Sequence, residues 1–438
     1  MSQPGFGTLA RVVRRPRLLA AATVIALLVG ACGNAATSSS PTPSLASAGA
    51  TTAATASPSA SADTESSAVY DLVERQVKSI RGLQATKVVP RRFIDATESR
   101  NLLTADFDKD TPPEYVAATE RLYKALGLIP ADSDLRKLTL DLLSGGVVGF
   151  YRNEEGSLYV LSKAKPGVNE RFTFAHEYDH ALQDQNFSVF RDQKGILDQG
   201  DRLLARQAVF EGDATLLMTQ WASANLDQAE LLELVKASSD PAAQALIDKM
   251  PAILKEALVY PYTTGLAWVQ RVQTEGGWHG VDDVYQRMPE STEQILHPEK
   301  YTSNEAPVPV TLPADLATRL GTGWTVPLTD TFGEFQTGIW LREGGVAEPA
   351  ASDAAAGWGG DRLAVMNGPE GGWAVAWQTA WDTAADAAAF DKAATTALAK
   401  AQGVGKVLPG EGGKTRWVVV AKDKSTLQKV AGVLGLAG

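Results

Sequence analysis

A short segment of the chain, residues 171–187, contains the pattern with the clearest chemistry, His176-Glu-Tyr-Asp-His180. Residues four apart share one face of an α-helix, so His176 and His180 can direct two imidazole nitrogens towards one point, as a tetrahedral metal ion requires. Glu177 lies one step round the helix, where its carboxylate can take a proton from water on the metal without binding the ion. The chain has only four histidines, so this spacing rarely arises by chance. Two structural histidines on an amphipathic helix are the alternative interpretation.

A third ligand must come from another element, because catalytic zinc keeps three protein ligands and one open position. The next predicted helix, residues 203–218, carries Glu211 on a face of apolar or small residues. A carboxylate on such a face must be paired or metal-bound when it is buried. Small residues such as Gly212 let a neighbouring helix approach, so we expect Glu211 to reach the metal. An ion pair between Glu211 and Arg206 is the alternative.

The order H-E-x-x-H, then E-G-x-A on the next helix, resembles the gluzincin metallopeptidases, the thermolysin-like superfamily. The resemblance implies one zinc ion per chain, bound by His176, His180 and Glu211, with Glu177 as general base. Thirty residues separate His180 from Glu211, where about 20 would be usual in the family, and a polar loop accounts for the extra length. This spacing leaves Asp213 as an alternative ligand or as a residue that orients one histidine.

Other segments add to the resemblance. In gluzincins a tyrosine or histidine after the ligand helix donates a hydrogen bond to the developing oxyanion. The resemblance therefore implies this role for His297, Tyr260 or Tyr262, and His297 in its Leu-His-Pro turn is favoured. Four segments also resemble parts of uncharacterised bacterial and archaeal metallopeptidases: Gly149-Phe-Tyr151, His180-Ala-Leu-Gln-Asp-Gln185, Ser291-Thr-Glu-Gln-Ile-Leu-His-Pro-Glu-Lys-Tyr301 and Gly357-Trp-Gly-Gly-Asp-Arg362.

Hydrophobic periodicity predicts the elements that position these residues. A hairpin is expected from two β-rich runs, 146–152 and 157–161, joined by the turn Asn153-Glu-Glu-Gly156. One of its strands could be an edge strand beside the active-site cleft that pairs with an extended peptide, and a purely structural hairpin is the alternative. Apolar stripes at helical spacing predict further helices over residues 68–83, 113–126, 134–143 and 266–272.

The C-terminal third has a different pattern. After a Pro-rich, loop-like segment at 303–330, the sequence predicts an α+β layer rich in tryptophan: Trp373, Trp377, Trp381 and Trp417. Aromatic core filling is the favoured interpretation of these tryptophans, and a carbohydrate- or peptide-docking surface is the alternative. The expected fold class is α+β, with a mostly helical zincin-type catalytic domain and a small edge hairpin before the C-terminal layer. The layer's strands are predicted at 363–366, 373–379 and 416–421, and its helices at 382–401 and 425–436.

The N-terminal segment, residues 1–31, has the pattern of a targeting signal. Four arginines precede an apolar run that is too short to span a membrane comfortably. The run ends at Cys32, the only cysteine, and resembles the bacterial lipoprotein signal, which implies cleavage before Cys32 and its lipidation. An ordinary secretion signal or an uncleaved anchor is the alternative. Residues 33–67 are almost entirely Ser, Thr, Ala, Pro and Gly and predict a disordered tether.

The charge balance restricts the partners. Removal of the signal deletes four arginines and no acid, which leaves 37 basic and 51 acidic residues and a net charge of −14. Such a balance argues against a nucleic-acid partner. We therefore expect an extracytoplasmic protein held to the membrane by its N-terminal lipid. Its predicted parts are the signal peptide 1–31, the lipidated cysteine and tether 32–67, a metallopeptidase domain 68–302 and a C-terminal domain 303–438.

Together these features predict a zinc-dependent peptidase that acts on a peptide or protein substrate, with Glu177 as general base. Two histidines and one carboxylate suit zinc best but accept other divalent ions. One rival is a non-catalytic cell-envelope binding lipoprotein on a peptidase-like fold. The presence of Glu177 argues against this rival, because metal storage needs no general base. A zinc hydrolase that acts on a non-peptide bond is a second rival.

Overall fold

The computed structural model describes residues 60–143, 149–161, 165–189, 195–237, 245 and 247–436. The predicted signal peptide, Cys32 and most of the predicted tether lie outside these residues. The described chain is mainly helical and contains one three-stranded and one five-stranded sheet, so the predicted α+β class is confirmed. Within the described part of the chain, no helix combines the length and hydropathy that a membrane span requires.

The first half of the chain surrounds a small sheet with helices. Its first helix begins at Ala60, eight residues before the predicted start, so the end of the predicted tether is helical instead. The elements are α1 (Ala60–Arg81), β1 (Arg91–Ile94), α2 (Ala96–Asp110), α3 (Pro113–Leu126), α4 (Leu135–Leu143), β2 (Gly149–Arg152), β3 (Ser157–Leu161), α5 (Val168–Phe187), α6 (Gly200–Asn225) and α7 (Gln228–Ala237).

The three-stranded sheet has the order β1-β3-β2. Strands β2 and β3 pair antiparallel, which confirms the predicted hairpin, and β2 lies at an edge. Strand β1 was not predicted, and it pairs parallel to β3. Because side chains alternate between faces, Leu158 and Val160 join the core that contains α5, while Tyr159 joins a separate cluster with Leu103 of α2. The sheet therefore lies between α2 and α5.

Helices α5 and α6 form the centre of this half. Most of their residues are buried, including the polar ones of the predicted site. A helix that is enclosed on nearly all sides belongs to the interior of a fold. After α7 the chain forms α8 (Ala252–Tyr260), a π-helical turn (Pro261–Gly265), α9 (Leu266–Val284), α10 (Thr292–Leu296) and α11 (Pro298–Thr302).

The predicted helix at 266–272 is therefore one part of a longer helical run. A π-helical turn that was not predicted precedes it, and α9 continues past the expected end to Val284. Gly277, with φ of 64°, interrupts the helical conformation of α9. Such a backbone conformation is readily adopted only by glycine.

The C-terminal part contains an antiparallel sheet of order β4-β5-β6-β8-β7. The loop-like prediction for 303–330 is wrong at its end, where a helix and the edge strand β4 form; strand β7 was also missed. The elements are α12 (Leu316–Leu320), β4 (Thr325–Asp330), α13 (Gly333–Glu343), α14 (Ala350–Ala355), β5 (Trp358–Asn367), a 3₁₀ turn (Pro369–Gly371), β6 (Trp373–Trp381), α15 (Ala384–Ala397), a second 3₁₀ turn (Leu398–Lys400), β7 (Val404–Pro409), β8 (Thr415–Ala421) and α16 (Lys424–Val433).

Helices cover both faces of this sheet. Trp377, Trp381 and Trp417 are buried in its two cores, in agreement with the favoured interpretation as core filling. One core also contains residues of α3, and the indole of Trp340 donates a hydrogen bond to the carbonyl of Leu126 at 3.1 Å. The predicted domain boundary at 302/303 stays a prediction, and this core contains residues from both sides of it.

Candidate metal centre

Helix α5 brings the two histidines of the H-E-x-x-H pattern together. The rings of His176 and His180 meet edge to face, with centroids 4.5 Å apart. Their Nε2 atoms are 2.9 Å apart. Two imidazole lone pairs at this distance repel each other unless a proton or a metal cation lies between them. The geometry of the pair therefore favours a cation, either a proton or a metal ion, between the two Nε2 atoms.

Glu211 of α6 completes the group. Its Oε2 atom lies 3.2 Å from Nε2 of His176 and 3.3 Å from Nε2 of His180. A tetrahedral ion with ligand bonds of about 2.0–2.1 Å separates its ligand atoms by about 3.3–3.4 Å. Both distances to the carboxylate match this spacing, and the distance between the two nitrogens is somewhat shorter. The three side chains are buried and form a group that could hold a metal ion.

The electrostatics of the group also favour a cation. Burial lowers the pKa of His176 to about 4, and the neighbouring His180 acts in the same direction. Burial disfavours the charged form of His180, but the Glu211 carboxylate outweighs this and raises the pKa of His180 to about 10. Burial opposes ionisation of Glu211, yet the charge of His180 and hydrogen bonds from both histidines lower its pKa to about 2. In the metal-free group, a positive charge on His180 and the negative charge of Glu211 thus stabilise each other.

Glu177 lies beside this group and contacts the edge strand. The backbone N–H of Tyr151 in β2 donates a hydrogen bond to Oε2 of Glu177 at 2.9 Å. Burial raises the pKa of Glu177 to about 8. A carboxyl group with a pKa near neutrality can both accept and return a proton. This carboxyl group can therefore exchange a proton near neutral pH.

Tyr262 reaches the same group from the π-helical turn. Its ring centroid is 6.3 Å from that of His176. Burial, with the Glu211 and Glu177 carboxylates, raises the pKa of the Tyr262 phenol far above its usual range, so the hydroxyl remains a donor. This buried hydroxyl approaches the Glu211 carboxylate without forming a well-aligned hydrogen bond. A buried donor gains from a better acceptor, so this hydroxyl can turn to a ligand at the site.

Close backbone contact between α6 and the π-helical turn brings Tyr262 to the site. A Cβ atom on Gly212 would lie 2.5 Å from the carbonyl oxygen of Gly265. A Cβ atom on Gly265 would lie 2.2 Å from the carbonyl oxygen of Ala208. Side chains at these glycines would force the two elements apart. The predicted close approach at Gly212 is thus present, and the π-helical turn is the element that makes it.

The other two candidates for the oxyanion donor contact different elements. The hydroxyl of Tyr260 donates to the carbonyl of Thr292 at 3.3 Å. Nε2 of His297 lies 2.8 Å from Oε1 of Glu334 in α13, and this hydrogen bond raises the pKa of His297. The contacts therefore do not support the preference for His297, and they favour Tyr262 instead.

Asp213, the alternative ligand, is engaged elsewhere. Its two carboxylate oxygens accept hydrogen bonds from Nε and Nη2 of Arg81, each at 3.0 Å. The hydroxyl of Tyr285 donates to the same carboxylate at 2.6 Å. Neither histidine is among these partners, and both histidines lie against Glu211 instead. Asp213 instead joins α6 to α1.

Two residues near the metal group were missed in the sequence. Gln183 contacts His180, and Arg81 lies in a buried cluster of acids behind it. Gln183 could have been found, because a polar side chain three residues after a ligand histidine lies on the same helix face. Arg81 could not, because its partner Asp213 is 132 residues away in the sequence.

A second group of acids offers no comparable site. Glu293, Glu305 and Asp382 have carboxylate oxygens close enough to hold an ion. The ammonium group of Lys300 already contacts all three, at 2.6, 2.9 and 2.5 Å respectively. The lysine supplies the positive charge that this group needs.

Comparison with known proteins adds little to this description. Residues 319–431 match a family model described as a domain of unknown function, DUF8575, which spans the five-stranded sheet and excludes the metal group. A comparison with curated proteins gave no match. One solved structure, from Chloroflexus aurantiacus and described as a "putative hydrolase with a novel fold", aligns over 55% of this chain and 89% of its own. Its sequence identity is 18% and its TM-score is 0.38, a likeness too low to carry an argument.

Proposed function

We propose that the protein is a zinc-dependent peptidase. The observation that carries the proposal is the buried convergence of His176, His180 and Glu211, with Glu177 directly beside them. Two imidazoles and one carboxylate, with a further carboxylate that is not a ligand, match the residue set of hydrolytic zinc sites. A site that only stores metal does not need a non-ligand carboxylate such as Glu177.

When bound, zinc supplies a Lewis acid and lowers the pKa of a water that it holds to about 7. Glu177 accepts a proton from the attacking water and later donates it to the leaving amine. The hydroxyl of Tyr262 donates a hydrogen bond to the oxygen of the scissile carbonyl as negative charge develops there. Loss of one such donor typically costs about 3–4 kcal/mol of transition-state stabilisation.

The edge strand suggests how a peptide binds. Strand β2 has no strand neighbour on its outer side within the described sheet, and its Tyr151 N–H points at Glu177. A peptide that pairs with this edge would bring its backbone next to the general base. The residues of the site are at most 5% exposed.

The same burial gives specific support to one rival, a non-catalytic metal-binding protein of the cell envelope. Structural zinc sites are closed, whereas catalytic sites keep an open position. Such a site would usually have four protein ligands, and only three are present in the described part of the chain. We therefore favour the peptidase.

We also propose that the enzyme acts outside the cytoplasm and is tethered through a lipid on Cys32. This part of the proposal rests on residues 1–67 of the sequence alone. Replacement of Cys32 by serine should release the protein from the membrane fraction if the lipid is its anchor. Retention of the Cys32→Ser protein in the membrane fraction would point to an uncleaved apolar anchor instead.

The proposal is tested by metal content and cleavage together. The purified protein should contain about one zinc per chain, and His176→Ala should contain little. The Glu177→Gln variant should retain its zinc and fail to cleave a peptide library that the wild-type protein digests. If wild type binds zinc and cleaves no peptide, the non-catalytic rival or a non-peptide substrate is correct. If it binds no zinc, the proposal fails altogether.

A further inference from the structure

Gln183 lies behind His180 in an arrangement that leaves its amide only one orientation. The side chain is fully buried. Its Nε2 donates to Oδ2 of Asp179 at 2.9 Å and to the carbonyl of Phe210 at 3.0 Å. Both amide hydrogens are thus used by acceptors. A flipped amide would place its oxygen against a carboxylate and a carbonyl, so the oxygen must occupy the other position.

That position faces His180. Oε1 of Gln183 lies 3.0 Å from Nδ1 of His180. An amide oxygen can only accept, so Nδ1 must carry a hydrogen. In a neutral imidazole the other nitrogen, Nε2, then presents its lone pair. Nε2 is the atom that lies against His176 and Glu211.

The orientation of Gln183 depends in turn on a buried network. Asp179, its carboxylate partner, lies 4.0 Å from Nε of Arg81. Arg81 is buried, forms two hydrogen bonds to Asp213 and stacks over the ring of Trp278 at 4.6 Å. A buried carboxylate keeps its place when a nearby charge compensates it. Arg81 provides part of that charge from the last turn of α1, because it also pairs with Asp213 at 3.0 Å and Asp282 at 2.7 Å.

We infer that Gln183 is a positioning residue for the metal centre: it fixes the tautomer and ring orientation of His180, and Asp179 and Arg81 hold it in place. The inference rests on the proposed function, because only a metal ion makes this tautomer necessary. The ligand concerned is a divalent cation. Loss of an outer partner of a metal-bound histidine typically weakens metal affinity by about 10- to 100-fold.

The test uses zinc alone as the probe. Metal-free wild type, Gln183→Leu and the control Gln185→Leu are titrated with zinc against a chromophoric chelator. Gln185 lies on the same helix and accepts hydrogen bonds from the backbone N–H groups of Thr86 and Lys87. Its replacement therefore removes hydrogen bonds of the same helix at a partly exposed position, away from the ligands. We expect the Kd for zinc to rise about 10- to 100-fold in Gln183→Leu and to stay near the wild-type value in Gln185→Leu.

A second measurement does not depend on any variant. Proton–nitrogen correlation spectra of zinc-loaded wild type should show hydrogen on Nδ1 of His180 and metal on Nε2. The opposite assignment, or a Kd in Gln183→Leu within threefold of wild type, would overturn the inference. Equal losses of affinity in both glutamine variants would do the same, because they would indicate general damage to α5. Absence of zinc binding by wild type would instead refute the proposed function.

Discussion

Replacement of Glu211 by glutamine tests the metal centre most directly. The change keeps the shape of the side chain and removes the charge that lies 3.2 and 3.3 Å from the two histidine nitrogens. Structural zinc binds with an apparent free energy of about 10–16 kcal/mol over four ligands, or about 2.5–4 kcal/mol for each. At 1.4 kcal/mol for each factor of ten, the loss of one ligand should weaken binding by about 60- to 700-fold.

The assay is a competition titration of the metal-free protein with zinc, read from a chelator of known affinity. The matched control is Asp201→Asn. Asp201 is also a buried acid of α6, and it accepts hydrogen bonds from Thr292. It lies ten residues before Glu211, which is about 15 Å along the helix axis. The control should lose folding stability and keep the wild-type affinity for zinc.

Two results would refute the reasoning. If Glu211→Gln binds zinc within tenfold of wild type, Glu211 is not a ligand. If Glu211→Gln and Asp201→Asn lose affinity equally, the effect comes from damage to the core of α6. A large loss in Glu211→Gln alone would support the ligand set and exclude Asp213 as the third ligand.

Further predictions concern pH and the C-terminal part. Zinc must displace the proton that the neighbouring Glu211 carboxylate stabilises on His180 and, below about pH 8, the proton on Glu177. Its affinity should therefore fall by about one to two powers of ten for each pH unit below 8 in the same titration, and a flat profile would contradict this. The raised pKa of His297 beside Glu334 should stabilise the fold below about pH 6.5, and this stability should be lost as pH rises through the folded-state pKa. The free energies of unfolding of wild type and His297→Gln, measured by urea denaturation, should therefore differ by an amount that shrinks with rising pH. A constant difference would refute the linkage. The ring of Phe335 in α13 packs 4.1 Å from that of Tyr260, just before the turn that carries Tyr262. Phe335→Ala should therefore lower kcat by about tenfold with zinc content unchanged, and unchanged kcat would contradict a supporting role for the C-terminal part.

Much of the site could be predicted because its chemistry is local. His176, Glu177 and His180 are positioned by the periodicity of one helix, which depends on nothing outside the segment. Glu211 followed from a second local argument, that a carboxylate on an apolar helix face needs a partner. The hairpin of β2 and β3 was predicted for the same reason, because its turn and its alternation lie in one stretch of sequence.

The remaining features depend on contacts between distant parts of the chain. The π-helical turn at Pro261–Gly265 forms where Gly265 meets Gly212, and no local pattern in the sequence marks that contact. Strand β1 is short and pairs in parallel with β3 across more than 60 residues. The choice among the three candidate oxyanion donors also required the fold, because the position of the turn brings Tyr262 to Glu211.

The charge balance of the site relates the proposed metal ion to the number of protons that the site binds without metal. The buried group contains two carboxylates, Glu211 and Glu177, and two histidines that are neutral as ligands. A divalent cation neutralises both carboxylates, whereas a monovalent one leaves a buried negative charge uncompensated. Without metal, the raised pKa values of His180 and Glu177 let two protons provide the same balance near neutral pH. On the proposed function, zinc would therefore exchange for protons and favour the ionised form of Glu177, which is the form that a general base requires.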